Sequence, residues 1–301
     1  MIVTCCPSKM HNGVWRHLKE LEQFGTTHYD STPLTCLFPE DAELVIFGGG
    51  WSGRYAELNG IAKKNGSKTA LLFCSPYGQA TLSNEINHLN IAYELLMNGT
   101  LDYVFTGTQE MADIFKHSRI KFLPQTLDYE KFIEEHSGDV EEMKNVVGLF
   151  CSKAPHKNIL NQAISLRNTD YHLFTNALDN DVSRVCLTQD VRYTNLGWMP
   201  SEEYYTLLKR IPVHLQCSYS EAFDYVVAET LLLGKPVLVG PTIDWIYNEQ
   251  LKINDIDNPL EIKSAINNIL INPLTPEQLR TIAITELDRR AVIAKEVLNN
   301  I

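Results

Sequence analysis

Short apolar runs alternate with helix-period segments along the whole chain, and the alternation starts afresh after residue 144. Strands separated by helices must cross over, so they pair in parallel inside a helix-covered sheet. In the first half the strand-like runs are Met1–Cys6, Leu44–Phe47, Thr69–Cys74, Tyr103–Thr106 and Ile120–Leu123. Helical patterns fall between them at Gly13–Gln23, Arg54–Asn65, Asn84–Met97 and Thr108–His117. The polar, acidic stretch Lys131–Lys144 reads as a linker. Beyond it, strands are expected at Asn145–Cys151, Tyr171–Thr175, Tyr193–Leu196, Val213–Cys217 and Pro236–Val239. Helices are expected at Lys157–Arg167, Ser201–Arg210, Phe223–Leu233 and Thr275–Asn299. Two similar α/β domains facing across a cleft follow, with bounds 1–138 and 139–280, and a last helix 281–301 that braces the first domain.

Composition narrows the classes of partner. With 44% hydrophobic and 21% charged residues, the 301-residue chain is neither disordered nor fibrous. The net charge is −11, and both halves are acidic when divided at residue 135, with 11 basic and 16 acidic residues before it and 15 and 21 after. Neither half offers a basic footprint for a phosphate backbone, which disfavours DNA as a partner. No apolar run approaches the roughly 18 residues of a membrane-spanning helix. The opening MIVTCCPSKMHNG is not a secretory signal, so a cytoplasmic location is expected. The seven cysteines form no CxxC pair and the nine histidines do not cluster at ligand spacing. Reduced thiols and no metal are expected.

In open α/β sheets ligands sit beyond the carboxyl ends of the strands. The most informative junction is Val213–Val239, VHLQCSYSEAFDYVVAETLLLGKPVLV. A buried strand runs into the polar turn Ser218–Glu221 and then into a helix whose first amides suit an anion such as a diphosphate. Glu221 stands in the turn and Glu229 lies eight residues later. That spacing suits two hydroxyl-bearing parts of one ligand; the plain alternative is a solvated carboxylate and a capping turn. A second junction, Gly48-Gly49-Gly50-Trp51-Ser52-Gly53, follows a strand and precedes a helix. It reads either as a loop that cradles a phosphate or faces a second substrate, with Trp51 stacking on a sugar or base, or as a structural turn.

EAFDYVVAE followed by TLLLGKPVLV resembles the E-x7-E motif of retaining GT-B glycosyltransferases, in particular glycosyltransferase family four. The family's usual form is EGFG-x-x-x-x-E before a helix ending in GKPV. Four further segments resemble the family in its order: GVWRHLKEL at Gly13, FLPQTLDYEKF at Phe122, the Val146-Val147-Gly148 opening with Lys157-Asn158, and NLGWMPSEEYYTLL at Asn195. The resemblance implies two Rossmann-like domains and sugar transfer, with retention, from a UDP- or GDP-sugar to a glycan or small-molecule hydroxyl. It also implies no metal and no tightly bound cofactor.

By the same resemblance, Glu221 contacts the transferred sugar and Lys157 neutralises the leaving diphosphate. The amides of Phe223, Asp224 and Tyr225 meet the sugar or diphosphate, and Glu229 holds the ribose. Leu196, Gly197, Trp198 and Met199 border the base, while Asn12 and Gly13 let the first-domain backbone approach the phosphate.

The departures are specific. The family's arginine after the second-domain glycine is absent from GLFCSKAPHK, which leaves Lys153 as the nearest cation. Ala222 and Asp224 replace two glycines of EGFG, and an added carboxylate beside a diphosphate is unfavourable unless it points away or binds a sugar hydroxyl. In place of the first-domain histidine, CSPYGQ offers Ser75 and Tyr77, joining Gly49, Gly50 and Trp51 as acceptor-side candidates. Two other readings stay open. One is a phage-type enzyme, placed in a host cytoplasm, that glycosylates hydroxymethylated pyrimidines in DNA. The other is a catalytically silent module that binds nucleotide sugars or glycans.

Overall fold

Every strand pairing among the described residues is parallel. A computed structural model describes residues 1–7, 13–31, 40–82 and 85–301. They divide into two units, Met1–Asp128 with Leu287–Ile301, and Tyr129–Glu286.

In the first unit, strands β1 (Ile2–Cys6), β2 (Thr27–Asp30), β3 (Leu44–Gly48), β4 (Lys68–Phe73), β5 (Tyr103–Thr106) and β6 (Ile120–Phe122) form one sheet. Their order is β2-β1-β3-β4-β5-β6. The helices are α1 (Gly13–Glu20), α2 (Gly53–Lys64), α3 (Tyr77–Leu82), α4 (Ile86–Met97) and α5 (Gln109–Phe115). Side chains alternate across a strand, so a sheet covered on both faces needs apolar residues at every position. β3 shows this: Val45 and Phe47 pack with Tyr55, Leu58, Ala92 and Leu96 of α2 and α4. Leu44 and Ile46 pack on the other face with Leu18 of α1 and with Ala294 and Leu298.

In the second unit, β7 (Val146–Leu149), β8 (His172–Thr175), β9 (Arg192–Asn195), β10 (Val213–Gln216) and β11 (Val237–Val239) take the order β11-β10-β7-β8-β9. The helices are α6 (Tyr129–His136), α7 (Ile159–Ile164), α8 (Asn180–Thr188), α9 (Ser201–Arg210), α10 (Tyr225–Leu232), α11 (Pro259–Ile271) and the first part of α12 (Pro276–Asn299), which belongs to the first unit from Leu287 onward. This is the doubly wound order, with its reversal between β7 and β10. α10 stops in a Schellman motif: Gly234 lies at φ 75°, its amide bonds Leu231 O at 2.9 Å, and the Lys235 amide bonds Thr230 O at 3.0 Å.

Three expectations need correction. The stretch read as a linker carries α6, whose buried Phe132 meets Tyr205 edge-on at 5.2 Å. Met143 packs on the Val146, Phe150, Leu208 and Ile211 cluster, so the acidic segment is anchored. The strand β2 was not foreseen, because THYD is a half-buried edge strand without an apolar run. In α12 the sequence pattern suggests Leu279, Ile282, Leu287, Ile293 and Val297 as the buried stripe, but the deepest residues of the last turns are Ala294 and Leu298, with Ile293 and Val297 only half-buried. Among the described residues, no helix is long and apolar enough to cross a membrane.

Candidate functional site

The strand-order reversal of the second unit brings together two loops, one after β7 and one after β10. Gly148 in β7 allows a close approach here: a Cβ on it would lie 2.4 Å from His214 Nδ1 in β10. The chain then turns through Cys151 and Lys153 into a single 3-10 turn, Pro155–Lys157. Asn158, at φ 50°, reverses it into α7. Three bonds staple this loop to the one after β10. The Tyr219 amide donates to His156 O at 2.7 Å. The buried Gln162 side chain accepts the Cys217 amide at 2.9 Å and donates to Lys157 O at 2.8 Å.

The staples set Lys157 against Glu221, although 64 residues separate them in sequence. Lys157 Nζ forms an ion pair with Glu221 Oε1, and Asp224 Oδ2 lies 3.9 Å away. The three side chains are 14%, 8% and 3% exposed. Burial acts to lower the Lys157 pKa, but the Asp224 and Glu221 carboxylates outweigh it and hold the ammonium above its ordinary value. Burial raises the Asp224 pKa, Glu221 raises it further, and the Lys157 ammonium and the Val227 and Val226 amides oppose them. Burial likewise pushes the neighbouring Cys151 thiol up to about 12, so it is a neutral wall of the site.

Asp224 also alters the expected anion site at the start of α10. Its Oδ1 accepts the Val227 amide at 3.3 Å, so the helix is capped by its own carboxylate. Phe223 is buried, stacks on Trp245 at 5.5 Å, and its carbonyl accepts Trp245 Nε1 at 2.9 Å. Phe223 therefore anchors the turn between Glu221 and Asp224. Tyr225 follows, its ring edge-on to Phe223.

Glu229 lies inside α10, 1% exposed, and Tyr205 donates to its Oε1 at 2.8 Å. Leu196, Gly197, Trp198 and Met199 form the loop after β9, where Gly197 lies at φ 68°. Trp198 is 85% exposed, whereas Met199 packs toward Phe150 and Leu208. Lys153 is exposed and outside the Lys157 cluster. The expectations missed Gln162, Trp245 and Tyr205; a buried Gln162 inside an apolar helical pattern was the one sequence signal available.

In the first unit the reversal lies between β1 and β3. Asn12 falls outside the described residues; Gly13 opens α1 with space around it. Gly48 has a packing reason, since a Cβ there would meet Leu18 Cδ1 at 2.4 Å, and Gly49 turns the chain at φ 93°. Gly50 lies beneath the His88 ring. Trp51, half-buried, packs edge-on to Phe47 at 5.9 Å at the margin of the core. Ser75, after β4, bonds the Glu85 carboxylate and accepts from Gln79 Nε2 at 3.4 Å, while Tyr77 is exposed at the start of α3. Among the described residues no group of three or more His, Cys, Asp or Glu side chains is placed to hold a metal ion.

No protein-family model matches the sequence, and neither does any curated protein sequence. Solved structures do match. HepE from Anabaena, in complex with UDP, is 16% identical, with a TM-score of 0.66 over 99% of this chain and 98% of its own; HepE is similar also in complex with UDP-glucose. A glycosyltransferase from Rickettsia africae is 13% identical, with a TM-score of 0.62 over 100% of this chain and 99% of its own. The E. coli trehalose-6-phosphate structure bound with UDP-2-fluoro glucose is 11% identical, with a TM-score of 0.62 over 88% of this chain and 73% of its own. At such identities the likeness is one of fold, and the fold is that of the GT-B glycosyltransferases.

Proposed function

We propose that the chain is a glycosyltransferase that moves a sugar from a nucleoside-diphosphate donor to a hydroxyl acceptor, with retention at the anomeric carbon and without a metal ion. The observation that carries this reading is the buried Lys157 ammonium between Glu221 and Asp224, at the strand-order reversal of a glycosyltransferase fold. A leaving diphosphate needs a positive charge held in a water-poor site. Lys157 supplies one, pre-positioned by its carboxylate partners. Relatives in fold are solved with UDP and UDP-glucose, which favours UDP over GDP as the donor nucleotide.

In this reading the bond from the anomeric carbon to the diphosphate oxygen breaks, and the acceptor oxygen bonds the same carbon on the same face. The acceptor proton passes to the leaving phosphate oxygen. Glu221 contacts the transferred sugar, Glu229 the ribose, and the Trp198 loop the base. Lys153, exposed beside this unit's first loop, is the residue left to approach the diphosphate where the resembled family has an arginine. In the first unit, Gly49, Gly50, Trp51, Ser75 and Tyr77 are the candidates to hold an acceptor of glycan or small-molecule class.

The test is UDP release from a panel of UDP-sugars with glycan acceptors, run in chelator. Glu221→Ala is expected to keep the wild-type circular dichroism and lose at least about 100-fold in turnover. Release equal to wild type would remove Glu221 from the reaction, and UDP binding without release from any donor would favour a silent binding module.

A further inference from the structure

Asp224 has features that capping a helix does not require. Its backbone lies at φ 65° and ψ 91°, a left-handed conformation that a β-carbon disfavours. Only one of its oxygens is used by the cap. The other, Oδ2, is buried and has no hydrogen-bond partner among the described residues; Lys157 Nζ, at 3.9 Å, is beyond bonding distance. A buried acceptor without a donor is costly, and such costs persist where a ligand supplies the partner. The side chain has no easy alternative position, because the Val227 amide holds Oδ1 and the Trp245 indole holds the preceding carbonyl.

We propose that Asp224 Oδ2 reads a hydroxyl of the donor sugar, and that the Asp224–Glu221 pair restricts the donor to uncharged glycosyl groups. The inference rests on the reading of this unit as a nucleotide-sugar site. Lys157 already balances one of the two carboxylates that face it. A uronate would bring a further carboxylate beside two carboxylates that share one cation, and like charges there repel strongly. A neutral hexose brings the missing hydrogen-bond donor without adding a charge.

Calorimetric titration of UDP, UDP-glucose, UDP-galactose, UDP-N-acetylglucosamine and UDP-glucuronate into wild type, Asp224→Gly and Asp224→Asn tests the assignment. Glycine is at ease at this φ, and asparagine retains an oxygen for the cap. The wild type is expected to bind at least one neutral UDP-sugar more tightly than UDP, and more tightly than UDP-glucuronate by about tenfold or more. Asp224→Gly should lower the ratio of neutral-sugar to UDP affinity by about tenfold, and Asp224→Asn should narrow the gap to UDP-glucuronate. A wild-type ratio in both variants would overturn the role of Asp224 and leave the nucleotide-sugar reading standing. Failure of the wild type to bind UDP or any conjugate would overturn both.

Discussion

Replacing Lys157 by methionine leaves the Glu221 and Asp224 carboxylates facing a methyl group, in a site where they are 8% and 3% exposed. Removing one partner of a buried ion pair costs about 3–5 kcal/mol, because the remaining charge stays desolvated. Protonation caps that cost. Keeping a carboxyl of ordinary pKa 3.8 protonated at pH 7.5 takes about 5 kcal/mol, and less than about 2 kcal/mol at pH 5. The loss in Lys157→Met should therefore be about 3–5 kcal/mol at pH 7.5 and shrink to about 2 kcal/mol or less at pH 5.

The direction follows from linkage. A carboxyl whose folded pKa is raised favours the folded state below its unfolded pKa, and that contribution is lost as pH rises through the folded value. The Lys157 ammonium lowers the Asp224 pKa, so deleting it strengthens this pattern. Urea denaturation read by tryptophan fluorescence measures it, with the buried Trp245 reporting on the second unit. Lys153→Met, at an exposed position, serves as the control and should stay within about 0.5 kcal/mol of wild type. A Lys157→Met loss below about 1 kcal/mol that does not change with pH would refute the buried-cluster reasoning.

Other consequences are separately measurable. Gly148→Ala places a Cβ 2.4 Å from His214 Nδ1, and should cost about 1–3 kcal/mol in the same denaturation assay. Burial depresses His214 from 6.5 to about 4 and His17 from 6.5 to about 3, so both are neutral inside the fold. The stability these two rings contribute should be full above pH 6.5 and fall toward pH 4, outweighing the opposite trend of the single Asp224 carboxyl, and a flat profile there would contradict the buried neutral rings. Trp198→Ala, at an 85% exposed position, should leave stability unchanged and weaken UDP binding by about 1–3 kcal/mol on calorimetry if the indole stacks on the base. Unchanged affinity would remove Trp198 from that contact.

The parallel sheets were legible because strands such as Leu44–Gly48 are buried on both faces and read as continuous apolar runs. Thr27–Asp30 escaped because an edge strand half-open to solvent needs no such run. α11 did carry a signal: Asn258 caps it, Pro259 opens it, and Ile262, Ile266 and Ile269 form its buried stripe. α8 offered less, burying only Cys186.

At the candidate site, strand-end reasoning pointed to the loop that holds Glu221 and the family resemblance to Lys157, but no local pattern reveals that their side chains pair. That pairing depends on Gln162 and on the Tyr219–His156 bond. The left-handed backbone of Asp224 had no signal in its own residue type, since glycine normally announces such a conformation; the one pointer was that Asp224 stands where the resembled family has a glycine. Tyr205 lies 24 residues from Glu229, in a tyrosine pair whose inward member periodicity does not distinguish.

The central claim is that the Lys157 site in the second unit binds a nucleoside diphosphate. The most direct measurement is the melting shift of wild type and Lys157→Met against UDP, GDP, ADP, CMP and TDP compounds. A ligand that binds only the folded state raises the melting point by mass action. The account predicts a selective rise with one diphosphate, UDP first, that is lost in Lys157→Met. No rise with any of them in a folded wild-type sample, or an equal rise in the variant, would contradict it.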